Sequence, residues 1–90
     1  MKKENMVKLV LIEWVDSSQP LPNWVHLDSL PDANPIECAS VGWLVHDDKK
    51  VKMLAPNMGD MDSESNIQAV GIIRIPTGAV KRIVKLEECI

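Results

Sequence analysis

Four cations stand close together near the end of the chain. Arg74, Lys81, Arg82 and Lys85 follow one another with no Asp or Glu between them. Guanidinium and ammonium groups gathered in this way can hold phosphate oxygens through charge-assisted hydrogen bonds. Two tryptophans lie beside small hydroxyl-bearing or glycine positions, in Trp14-Val15-Asp16-Ser17 and in Ser40-Val41-Gly42-Trp43. An indole face can stack on a planar base, while Ser17, Ser40 and Thr77 offer hydroxyls for ribose or base edges. The candidate ligand-binding set is therefore Trp14, Ser17, Ser40, Trp43, Arg74, Thr77, Lys81 and Arg82. The same residues also read as tryptophans capping the two ends of a barrel and as cations on the solvated outer faces of two strands.

Other chemistries find weaker support. Asp60, Asp62 and Glu64 alternate as in a calcium loop, but the glycine at the sixth position and the final bidentate Glu are missing. His26 and His46 have no second ligand at metal spacing, so no metal is expected. Cys38 falls inside a β-branched run, where a thiol usually serves as a small hydrophobe. No nucleophile and base can be paired, so neither catalysis nor a cofactor is expected.

The chain has 90 residues and a formal net charge of −3. That length suits a single domain, residues 1–90, with a small core. Aliphatic residues must build that core, because there are three Trp but no Phe or Tyr. Overall acidity argues against general binding to duplex nucleic acid. The charge is unevenly spread: Met1 to Asp48 carries three Lys/Arg against eight Asp/Glu, and Lys49 to Ile90 carries seven against five. Two cysteines, Cys38 and Cys89, form no disulfide framework and suit a reduced cytoplasm. The apolar run from Val7 to Ile12 is too short for an export signal or a membrane span.

These residues must be positioned by strands. Val7 to Val15 reads as a buried strand after a flexible start at residues 1–5. Residues 16–35 contain four prolines and form a loop arm, with Trp24 and Leu27 expected to anchor it across one end of the core. Ile36 to His46 and Val51 to Pro56 form a hairpin around Asp47-Asp48-Lys49-Lys50, and Gly42 marks a sharp bend in the longer strand. A polar, mobile loop over 57–66 leads to a fourth strand from Ile67. That strand ends at Pro76, and Gly78 gives the turn the freedom to start a fifth at Val80. The expected fold is all-β: a small five-stranded barrel of Sm-like or SH3-like type. Its fourth and fifth strands would be open edges that another copy covers, giving a homo-oligomer.

The pattern of Trp14 with Asp16-Ser17, Ser40-Val41-Gly42-Trp43-Leu44-Val45 with Asp47-Asp48, Met53-Leu54-Ala55-Pro56, and Gly71-Ile72-Ile73-Arg74-Ile75-Pro76 followed by Val80 and Ile83 resembles a group of short phage proteins to which no reaction is assigned. The likeness runs through nearly the whole chain. It implies a phage or prophage origin and a place in the bacterial cytoplasm. It also suggests action by binding something host-made, as do phage sponge proteins that sequester cyclic-oligonucleotide or ADP-ribose messengers of antiphage signalling. A homo-oligomer that binds such a nucleotide without turning it over is the first expectation. The alternative is an adaptor that inhibits a host protein, such as a defence protein, through the Trp24 arm and the acidic N-terminal half.

Overall fold

A computed structural model describes residues 8–17, 20–32, 34–63 and 65–89. The segment 1–5, the first residue of the expected first strand and Glu64 of the polar loop lie outside the described residues. The protein is all-β. Strand β1 spans Leu9–Asp16, β2 Ile36–Asp47, β3 Val51–Ala55, β4 Asn57–Gly59, β5 Gln68–Val70, β6 Ile73–Pro76 and β7 Val80–Lys85. Single 3-10 turns occur at Leu27–Ser29 and Thr77–Ala79.

Five of the strands form one antiparallel sheet in the order β6-β3-β2-β1-β7. Its two edges, β6 and β7, are consecutive in the chain and joined only by the three-residue turn Thr77–Ala79. Laid flat, five strands would put these edges about 19 Å apart, while a 3-10 turn of that length advances only about 6 Å. The sheet must therefore curl. It does not close into the expected barrel, because no ladder joins β6 to β7. β6 is only four residues long and ends on Pro76, which has no N–H to donate. The turn then sends β7 along β1, where Val80 faces Trp14 and Lys85 faces Val10.

Side-chain alternation fills the concave face. Val10, Ile12 and Trp14 of β1 are buried, with partly exposed neighbours between them. They pack with Leu54 and Ile75, and Cys38, Leu44, Ile73 and Val80 line the rim of this cluster. The indole N–H of Trp14 donates to Ser40 Oγ at 3.0 Å, so the polar atom of this core side chain has a partner.

Several expectations change in detail. The run from Ile67 to Ile75 is two strands, broken at Gly71, whose φ of +80° is a left-handed conformation. The polar loop begins later than expected, since Asn57–Gly59 is the strand β4. Strands β3 and β4 pair with β6 and β5 in one unbroken register, from Val51 opposite Pro76 to Gly59 opposite Gln68. They form a single long hairpin interrupted where Pro56 meets Gly71. Gly42 is buried because its neighbour comes close: a Cβ there would stand 2.9 Å from the Ala55 carbonyl oxygen. Gly78 sits in the 3-10 turn with open space around it. What holds this turn is Thr77, whose N–H donates to the Lys50 carbonyl and whose hydroxyl donates to the Asp48 carbonyl. The largest correction concerns the arm. Trp24 is 103% and Leu27 85% exposed, so neither anchors it to the core.

Candidate functional site

The eight residues expected to bind a ligand do not converge. Trp14 and Ser40 are spent on each other within the core. Trp43 faces Leu9 and Ala55 in the neighbouring strands, on the opposite, convex face of the sheet. Arg74 lies on β6 opposite Met53, while Lys81 and Arg82 lie on β7, at the other edge. Thr77 ties the turn between them to the β2–β3 turn, and the Ser17 N–H donates to the carboxylate of Asp16.

Two of the three cations are also neutralised. Arg82 grips Glu13 through Nε at 2.9 Å and Nη2 at 3.4 Å, and Lys81 is paired with Glu37. The Arg82 hydrogen bond and charge hold the Glu13 carboxyl below its usual range. Hydrogen bonds to Glu37 and to Glu13 raise Lys81 and Arg82 respectively. Strand geometry produces these pairs. Glu13 stands opposite Arg82, and the ladder then slips by one residue, so that Lys81 is extra and reaches past β1 to Glu37 on β2. Glu13, Trp14, Glu37, Cys38, Ala39 and Lys81 border an open cleft of about 290 Å³. Its rim holds two carboxylates and one amine, a poor match for a phosphate.

A different feature stands out in the arm. Every residue described between Pro20 and Asp32 is exposed, yet this stretch contains Leu21, Trp24, Val25, Leu27 and Leu30. Leu21, Trp24, Leu27 and Leu30 recur every third residue. His26 (φ −68°, ψ 140°) and Leu30 (φ −64°, ψ 143°) have polyproline-II backbones, and Leu27–Ser29 between them is a 3-10 turn closed by Ser29 N–H donating to the His26 carbonyl. Both conformations repeat every three residues. Trp24, Leu27 and Leu30 thus follow one another at the repeat of these conformations, all of them exposed, and Leu21 stands three residues earlier, beyond the bend at Pro22 and Asn23. The prolines pre-set the extended segments. Asp28 and Asp32 are the charges here, and no Lys or Arg occurs between Val15 and Ile36.

This strip was hidden from the sequence because its period is three. Templates of 3.6 for helices and two for strands pass over it, and four prolines draw the eye to a loop. Comparison with family models, curated proteins and solved structures finds no match to this chain.

Proposed function

We propose that this chain is a non-catalytic adaptor that grips another protein with the arm 20–32. The observation that carries this reading is the strip Leu21, Trp24, Leu27 and Leu30, four large apolar side chains held in solvent on a segment of three-residue repeat. Trp and Leu side chains so displayed are the anchors by which extended peptides fill apolar grooves. The charge of the arm, two carboxylates and no cation, asks for a groove with a basic rim. The resemblance to short phage proteins supports a host defence protein in the bacterial cytoplasm as the target. The adaptor works without cofactor, metal, membrane or duplex nucleic acid. Its free edges β6 and β7 leave room for homo-oligomers.

A second reading, the nucleotide sponge, keeps one observation in its favour: Trp14 and Lys81 border the same cleft. It would require Lys81 and Arg82 to leave Glu37 and Glu13, and Arg74 to be supplied from elsewhere.

The test uses tagged full-length protein in bacterial extract. A protein retained by wild type and lost from Trp24→Ala/Leu27→Ala is purified, and its binary complex is measured by calorimetry. Loss of two hot-spot side chains should weaken that complex by at least 100-fold. Retention indifferent to the arm overturns the reading. Heat from cyclic oligonucleotides or ADP-ribose derivatives would favour the sponge.

A further inference from the structure

The convex face of the sheet is apolar where it would be expected to be polar. Counting by register, Leu9, Leu11, Val41, Trp43 and Val84 share that face. Val41 in the central strand is 52% exposed, and the other four are half-buried. An antiparallel sheet with one face on the core usually turns polar residues outward. The charged residues of this face sit toward the arm end, in the neutral pairs Glu13–Arg82 and Glu37–Lys81. Toward the opposite end Arg74 stands on this face, opposite Met53, while Lys85 pairs with Val10 and falls on the concave side.

We infer that two copies of this chain pair reciprocally, the arm of each lying on the convex sheet face of the other. This rests on the reading of the arm as a binding element, and it names what occupies the arm before a target arrives. Three observations point to a second copy. The chain displays two apolar surfaces of matching character, a strip and a patch, and its own arm stands off its own patch. The arm carries Asp28 and Asp32 without a cation, and the convex face carries Arg74 toward its β6 edge, outside any ion pair among the described residues, so arm and face are complementary in charge. A two-fold arrangement uses the contact twice. Each arm offers Trp24 and three leucines, each covering on the order of 100–200 Å². The two arms together then bury on the order of 800–1,600 Å² before the facing sheet surface is counted, which reaches the size of a stable specific interface. Target and second copy then compete for the same strip, so dimer dissociation limits capture.

Sedimentation of the full chain from 1 to 200 μM tests this. The expected result is a dimer of twice the chain mass that becomes monomeric in Trp24→Ala and, separately, in Val41→Glu, with thermal unfolding preserved in both because both side chains are exposed. Mixing the two variants is the sharper measurement. The arm of Val41→Glu and the face of Trp24→Ala are both intact, so one of the two contacts re-forms and a heterodimer appears that neither variant makes alone. A monomeric wild type, a dimer that survives either substitution through the edges of β6 and β7, or a mixture that stays monomeric at 200 μM overturns the inference. Capture of a target by a monomeric wild type would leave the adaptor standing while removing the dimer.

Discussion

Single residues in this protein do their work through close contact and shared protons. Gly42 was legible as a special position, and the structure adds a close approach that residue types alone do not show. The Ala55 carbonyl oxygen would lie 2.9 Å from an added Cβ, so Gly42→Val forces β2 and β3 apart at the buried centre of the sheet. A loss of about 1–3 kcal/mol in denaturant unfolding is expected, as for other overpacked sites. Asp48 shows what spacing alone does not reveal. Its carboxylate accepts from the Val51 N–H, from His46 Nε2 at 2.7 Å and from the Lys50 N–H, which lower its pKa from 3.8 to about 2. Because the folded value is depressed, this stabilisation is fully present above pH 3.8 and is lost as pH falls through 2. Acid unfolding should therefore show a destabilising step between pH 4 and 2 that Asp48→Asn lacks, read by circular dichroism. An identical acid limb in both proteins would contradict the assignment.

At the level of elements, the strand β1 and the Asp48–Lys50 turn could be read from residue types, because β-branched content, brevity and turn chemistry are local. The division of the run 67–75 could not. It depends on Pro56 lying across the hairpin from Gly71, a contact between residues fifteen apart that neither reveals by itself. At φ +80° any side chain is strained, and a Cβ on Gly71 would also stand 3.1 Å from Pro56 Cγ. Gly71→Ala should accordingly destabilise the hairpin by about 1–2 kcal/mol. Pro56→Ala/Gly71→Ala should cost less than the sum of the single changes, since relieving the contact leaves only the backbone strain. Full additivity in a double-mutant cycle would separate the two residues energetically.

For the whole molecule, the all-β class followed from composition and punctuation, whereas the number of strands, closure and the binding site depend on how elements meet. The cations Arg74, Lys81 and Arg82 are neighbours in sequence, yet the link between edge strands puts Arg74 at one edge of the sheet and the other two at the opposite edge, beside carboxylates of the N-terminal half. The acidic half and the basic half are thus joined by ion pairs across the sheet. The division of labour that remains sets the sheet against the arm. The sheet contains all of the buried core residues Val10, Ile12, Trp14, Leu54, Ala55 and Ile75, and the arm contains none. Residues 20–32 should therefore be dispensable for folding. Replacing them with a short Gly-Ser linker shortens the loop between Asp16 and Ile36, and the entropy of closing that loop changes by less than about 1 kcal/mol. If the arm exists to bind, the shortened protein should unfold cooperatively within a few degrees of wild type in dilute solution while losing both target capture and dimerisation. Loss of cooperative unfolding in monomeric, arm-less protein would instead make the arm part of the fold, and its exposed tryptophan would then need a structural explanation.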